Sequence, residues 1–259
     1  MRRLNVIELE DMPWFPESIR NYMTDLLNFI ITFFRIYDPA VPILHKFMRL
    51  SLCNNILDLC SGGSGAICRV KKILNQDHNF EVNIILSDLY PNKYACERIE
   101  KSKDKHITYR INPIDATQVP EKITGFRTLF TSFHHFDPPS AKKILADAIK
   151  QQRGIAIFEF TERNWRGFFG PLCLPLLVIL VTPFLKPFSL KRLFFTYIIP
   201  FVPLAFIFDG IMSQLRSYTH EEMLAFAHEV DDGTYVWEAG ALPHKFLPFK
   251  INYLVGYKS

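Results

Sequence analysis

The chain has no CxxC pair, and its five cysteines, Cys53, Cys60, Cys68, Cys96 and Cys173, are odd in number and scattered. That excludes a disulfide framework and a cysteine zinc site, no other metal site is expected, and reduced thiols in a cytosol-facing protein are implied. Charge of one sign is also lacking. A formal net charge of +4, with no basic stripe interleaved with aromatics, argues against nucleic acid as partner or substrate. Arg2 and Arg3 are followed by Glu8, Glu10 and Asp11 rather than by an apolar run, so no cleavable signal is expected. Two long stretches without charge are present, residues 168–185 and 193–208, but each falls short of the roughly 20 apolar residues of a straight membrane span. What the chain does have is apolar mass. With 49% hydrophobic and 22% charged residues over 259 positions, it can bury one α/β domain plus an appendage.

Residues 18–37 carry Ile19, Tyr22, Met23, Leu26, Leu27, Ile30, Phe33, Phe34 and Tyr37, a helical stripe that Asp38-Pro39 ends. From residue 54 to 160, short β-rich runs (56–59, 82–87, 107–110, 128–133, 155–160) alternate with helical ones (66–74, 91–99, 139–150). Such alternation predicts a parallel sheet with right-handed crossovers. A helix over 219–230 and strands over 235–238 and 251–257 close the chain, the last two as an antiparallel pair. Thr219 and Glu222 have the spacing of a capping box at that helix.

The first strand runs into Asp58-Leu59-Cys60-Ser61-Gly62-Gly63-Ser64-Gly65 and then into a helix. Glycines admit a ligand close to the backbone, and the free N–H groups of the helix start offer donors to a carboxylate or phosphate. Asp88 follows about twenty residues later, the place of a carboxylate that accepts from both hydroxyls of a ribose. Asp115 closes the third strand-like run. A dinucleotide fingerprint would need a third glycine where Cys68 stands, so pyrophosphate binding loses support.

On these motifs, residues 54–160 resemble class I S-adenosylmethionine-dependent methyltransferases. The resemblance implies a Rossmann-like α/β fold: a seven-stranded, mostly parallel sheet with the last strand antiparallel. It also implies S-adenosyl-L-methionine as cofactor, held by Asp58, Cys60, Ser61, Gly62, Gly63 and Gly65 at the methionine end, Asp88 and Leu89 at the ribose, Asp115 and Ala116 at the adenine, and Ser132 after the fourth strand. Cys60 and Ser64 depart from the family's glycine pattern. Thr131-Ser132-Phe133-His134-His135-Phe136 resembles a paired-histidine stretch of small-molecule methyltransferases, making His134 and His135 the catalytic candidates, one of them as base for an acceptor that loses a proton. A nicotinamide-dependent oxidoreductase, a catalytically silent methyltransferase-like membrane subunit and a soluble small-molecule methyltransferase stay as alternatives.

The two uncharged stretches flank Lys186, Lys191 and Arg192, with Arg163, Arg166 and Arg216 outside them. As helices they would reach about 27 and 24 Å against a hydrocarbon core of about 30 Å, and Pro171, Pro175, Pro183, Pro200 and Pro203 interrupt them. Positive charge on both sides sets no orientation. The expectation is a monotopic, partly embedded apolar helical hairpin, its basic tip at the headgroups and its catalytic domain facing the cytoplasm, with a spanning hairpin and a soluble lid or dimer surface as alternatives. The hairpin would stand near the strand ends where ligands bind, implying a lipophilic acceptor of quinone-like, isoprenoid or sterol-like type. Trp14, Arg20, Tyr22, Arg216 and Tyr218 are the substrate-contact candidates. The expected division is a helical cap (1–53), a cofactor core (54–162), the membrane-associated insertion (163–208) and a completing helix and strand pair (209–259).

Overall fold

A computed structural model describes residues 2–164 and 169–259. Seven strands form one sheet in the order β3-β2-β1-β4-β5-β7-β6. They are β1 (Asn55–Leu59), β2 (Asn83–Leu86), β3 (Ile107–Tyr109), β4 (Phe126–Phe130), β5 (Ile155–Glu159), β6 (Tyr235–Pro243) and β7 (Lys250–Lys258). β1 to β5 are parallel, whereas β7 runs antiparallel between β5 and β6. This is the expected α/β fold. A dinucleotide-binding sheet keeps its sixth strand parallel in the order 3-2-1-4-5-6, so β7 separates this chain from that alternative.

Period-two alternation divides the sheet between two cores. In β5, Ala156 and Phe158 face one side with Ile56 of β1, while Ile155 and Ile157 face the other with Leu57. The first side is covered by α1 (Glu17–Phe33), α2 (Val41–Leu50), α3 (Gly65–Asp77) and α4 (Lys93–Ser102), the second by α5 (Pro138–Lys150) and α9 (His220–Val230). The central strands β1 and β5 bury both faces, which is why apolar residues stand at successive positions, 56–57 and 155–158, rather than at alternating ones.

α1 stops at Phe33, four residues before the expected end, because Arg35 takes a positive φ of 56° and turns the chain. A 3-10 turn (Asp38–Ala40) then leads into α2, started by Pro42 in its first turn, a helix the α1 stripe gave no sign of. The expected strand over 128–133 ends at Phe130; Thr131 is left-handed and residues 133–135 form a 3-10 turn. Around Thr219 the capping box is complete, with Glu222 N–H donating to the threonine hydroxyl and Thr219 N–H to the Glu222 carboxylate.

The insertion is more broken than a hairpin of two helices. It comprises α6 (Phe169–Val181) with Pro175 inside it, a 3-10 turn (Thr182–Phe184), a short α7 (Leu190–Leu193) that loosens into a π turn (Phe194–Ile198), and α8 (Phe201–Arg216). The pair Leu190–Ile198 and Phe201–Arg216 is bent by 76°, and among the described residues no single helix is long and apolar enough to cross a membrane. α8 runs on to Arg216, so the insertion does not end at residue 208. Arg166 and Phe168, read from the sequence as part of this segment, lie outside the described residues. The basic residues divide: Lys186 and Lys191 are exposed at the tip, but Arg192 is buried. Arg192 pairs with Asp25 of α1 at 3.0 Å, donates to the carbonyls of Leu185 and Pro187, and lies over the Tyr22 ring. It anchors the insertion to α1 instead of reaching headgroups, a correction to the expected basic tip. Arg163 likewise turns inward, to Ser217 O and the Glu222 carboxylate.

Candidate functional site

The strand order reverses between β1 and β4, and the loops leaving their C-terminal ends open the crevice in which sheets of this kind bind ligands. After β1 the backbone alternates into the left-handed region at Cys60 (φ 56°), Gly62 (φ 46°) and Ser64 (φ 63°), ending at the N-terminus of α3. Ser61 N–H donates to Ser87 O, and Gly62 N–H to the Asp88 carboxylate, each at 2.9 Å. The other Asp88 oxygen accepts Tyr90 N–H at 2.9 Å. The glycines serve close approach: a Cβ on Gly63 would collide with the Asn28 amide, and one on Gly65 would meet it at 2.7 Å. Asn28, from α1, accepts Gly65 N–H at 3.1 Å and so caps the orphan donors of α3 from another element.

These groups line a cavity of about 950 Å³. Asp58, Cys60, Ser61, Gly62, Gly63, Gly65, Asp88, Leu89 and Ser132 all face it, as the sequence led one to expect. Asp115 and Ala116 do not: Asp115 is exposed and accepts from Thr117 N–H and hydroxyl, and Ala116 is buried in the core under α5. Asp58 is 3% exposed and accepts from Thr128 at 2.6 Å. Burial pushes its carboxyl up to about 7, against the opposing bonds from Thr128 and Ser61. Two buried polar atoms on the wall, Asn28 Nδ2 and Ser132 Oγ, have no hydrogen-bond partner. Such atoms call for a ligand with acceptors of its own.

A second cavity, of about 450 Å³, adjoins the first. Its walls are apolar, with Met23, Leu27, Ile30, Leu174, Leu177 and Phe206 drawn from α1, α6 and α8, and its inner end is polar, with Glu8, Glu10, His134, His135 and Asp209. Glu10, Leu27, Thr131 and His135 belong to both walls. Thr131 holds φ at 48°, a left-handed conformation unusual for a β-branched residue and the kind of strain that gathers at functional sites. Its hydroxyl is hydrogen-bonded to Tyr37 OH.

The polar end is assembled by the N-terminal segment, which crosses the sheet's C-terminal edge. Asp209 of α8 accepts Leu9 N–H at 2.6 Å and Glu10 N–H at 3.2 Å. Arg216 donates to the carbonyls of His134 and His135 and pairs with Asp11. Glu159, at the end of β5, accepts Ser132 and Phe133 N–H groups and binds His134 Nδ1 at 2.7 Å. Burial alone would raise Glu159, but the His134 ring and the N–H donors hold it below its usual value. His135 Nδ1 lies 3.1 Å from Asp11. Burial alone would lower His135, yet Glu8, Asp11 and Glu10 overcome it and lift the ring to about 10. Glu10 is raised to about 7, by burial first and then by Glu8, Asp209 and Asp11.

The substrate-contact candidates fare differently. Arg20 reaches the larger cavity, where it ties the carbonyls of Glu10 and Met12. Trp14, Tyr22, Arg216 and Tyr218 line neither cavity. Trp14 is 66% exposed; Tyr22 bonds Ser189 under Arg192; Tyr218 donates to Phe136 O beneath Arg3. Glu8, Glu10, Asn28, Glu159 and Asp209 were missed, because nothing local marks an acid or amide that acts on a loop over a hundred residues away or on another element.

No protein-family model and no curated protein matches the chain. Solved structures do. The plantazolicin methyltransferase BpumL, in complex with S-adenosylhomocysteine, superposes with a TM-score of 0.62 at 10% identity, over 97% of this chain and 94% of its own. The fold is that of class I methyltransferases. The methyltransferase domain of bacterial CtHen1 gives a TM-score of 0.52 at 12% identity over 86% of this chain and 99% of that one. A SAM-dependent methyltransferase from Aquifex aeolicus gives 0.50 at 12% identity, over 89% and 93%. These likenesses concern the methyltransferase fold; the chemistry of this chain rests on its own residues.

Proposed function

We propose that the protein transfers a methyl group from S-adenosylmethionine to a lipophilic acceptor taken up at a membrane surface. The observation that carries this is the pair of abutting cavities, one polar and glycine-walled, the other apolar and opening among α6 and α8, with Glu10, Thr131 and His135 on the shared wall. The residues present fit the cofactor. Asp88 keeps acceptor capacity for a ribose diol, the buried Asp58 carboxyl would be relieved by an ammonium, and Asn28 Nδ2 is a free donor for a carboxylate. When bound, S-adenosylmethionine supplies an electrophilic methyl on a sulfonium.

The protein's part is then alignment and exclusion of water. Leu27 and the apolar wall desolvate the acceptor, while Thr131 and the 3-10 turn fix where its reactive atom meets the other cavity. Glu10 Oε1 and His135 Nε2, 3.7 Å apart, are the titratable groups common to both walls. The Glu10 carboxylate is placed to take a proton from the acceptor. Leu172, Leu176, Phe184, Phe188, Leu190 and Ile198 of the insertion are each more than 60% exposed. Exposed apolar side chains spread over α6, the turns and α7 suit insertion into the headgroup region of a bilayer. Lys186 and Lys191 stand beside it for anionic lipid.

Isotope-labelled cofactor, incubated with the protein and a total lipid extract, should leave label in an organic-phase product identifiable by mass spectrometry. Transfer to water-soluble acceptors only would overturn the lipophilic reading. Absence of S-adenosylhomocysteine binding by folded protein would overturn the reading altogether.

A further inference from the structure

We infer that Glu8, His134 and His135 form a binding site for one divalent transition-metal ion at the polar end of the apolar cavity. The three come from the N-terminal segment and the turn after β4, and one ligand atom of each lies within 4.8 Å of the other two. Glu8 Oε1 stands 3.7 Å from His134 Nε2, and Glu8 Oε2 stands 3.7 Å from His135 Nε2. These separations are too long for hydrogen bonds. Each imidazole faces its own Glu8 oxygen, and single ligand atoms of the three lie within 4.8 Å of one another, against an edge of about 3.4 Å for ligands held at about 2.1 Å around a tetrahedral ion, so the group closes on a metal with a shift of roughly 1–1.5 Å.

Independent features point the same way. Glu8 is 1% exposed, and its Oε1 has no hydrogen-bond partner, an arrangement that is costly without a ligand. Each imidazole is also oriented as metal-bound histidines are, with Nδ1 against a carboxylate and Nε2 turned inward: His134 to Glu159 at 2.7 Å, His135 to Asp11 at 3.1 Å. The charged surroundings are acidic. Glu8, Glu10, Asp11, Glu159 and Asp209 gather there against Arg216, whose Nη1 pairs with Asp11 and lies 3.5 Å from Glu8, while Arg3 and Arg20 are engaged with the carbonyls of His134 and Glu10. Two imidazoles and one carboxylate suit zinc, iron or cobalt rather than magnesium or calcium. Three protein ligands leave coordination open. All three line the apolar cavity, so the open side faces the place of the acceptor. A role there in holding an acceptor oxygen or nitrogen rests on the methyl-transfer reading; the site itself does not.

The test uses full-length, tag-free protein stripped with chelator, titrated calorimetrically with Zn(II) and, separately, with Co(II) followed by its visible absorption. S-adenosylhomocysteine binding is measured on the same samples. The expected result is one equivalent of Zn(II) and a cobalt band characteristic of four- or five-coordination. His135→Ala and Glu8→Gln should abolish both, and Glu159→Gln should weaken uptake by about 10–100-fold. Circular dichroism and cooperative urea unfolding of the His135→Ala protein report on the fold separately. No stoichiometric uptake by stripped protein that still binds S-adenosylhomocysteine would overturn the site. So would equal uptake by wild type and by folded His135→Ala protein, which would place the ion on other histidines. Failure of S-adenosylhomocysteine alone, with metal uptake intact, would count against the cofactor reading and not against the metal.

Discussion

Replacing Asp88 by Asn is the sharpest probe of the larger cavity. A carboxylate offers about four acceptor positions. Backbone N–H groups of Gly62 and Tyr90 take one on each oxygen, both at 2.9 Å. The remaining capacity matches a vicinal diol, one hydroxyl per oxygen. The amide variant keeps one acceptor oxygen and turns the other into a donor, so it loses one bond to the diol and weakens the second by removing the charge. Bonds to charged groups contribute about 1.5–3 kcal/mol each, which corresponds to roughly 10–150-fold in affinity. Calorimetric titration of S-adenosylhomocysteine into wild type and Asp88→Asn measures this directly. Circular dichroism and urea unfolding separate it from the cost to the loop, where an amide N–H would face Gly62 or Tyr90. If the variant binds with unchanged affinity, whatever its urea midpoint, the diol assignment is refuted.

Other consequences follow from the buried charges and the apolar surface. Arg127 is fully buried and pairs with Asp147 at 2.8 Å, so Asp147→Ala should cost about 3–5 kcal/mol in urea unfolding by stranding the guanidinium. Adding Arg127→Met to that variant should recover much of the loss. Asp58 is held near 7 in the folded chain against an ordinary carboxylate value when unfolded, so the folded state keeps a proton that the unfolded state releases. Cofactor-free protein should therefore lose stability as pH rises from about 4 to about 7, by at most about 4 kcal/mol from this group. Asp58→Asn should flatten that slope in unfolding titrations while matching wild type near pH 4. Phe184, Phe188 and Ile198 are 79%, 67% and 70% exposed. Their joint replacement by Ser should leave the melting temperature unchanged and lower co-sedimentation with anionic vesicles by about 100-fold or more, at about 1.5–3 kcal/mol per buried side chain.

Strand positions, the parallel core and most of the glycine-walled cavity were legible in the chain because they are local. Apolar runs broken at Gly62 and Gly65, an acid near the end of β1 and another just past β2 follow from backbone conformations that only certain residues permit and from spacings set by one βαβ unit. The amphipathic stripe of α1 located its buried face for the same reason, although Arg35 ended the helix before the proline did. Arg192 was misread as interfacial and Arg216 as a substrate contact because sequence shows a charge but not its partner. Asp25 and Asp11 are far away along the chain.

The polar end of the second cavity is a product of tertiary structure. Glu8, Glu10 and Asp11 reach His134 and His135 only because Asp209 and Arg216, at the far side of the insertion, pin the N-terminal segment over the strand ends. Glu159 reaches His134 only because β5 lies beside β4. Sequence thus determined which residues carry ionisable groups and which segments are apolar, since both are properties of single residues and their near neighbours. Packing decided which of those groups share a desolvated volume, and so which way their proton affinities move and which carboxylate oxygen is left without a hydrogen bond, because charge interactions depend on distance and burial rather than on order along the chain.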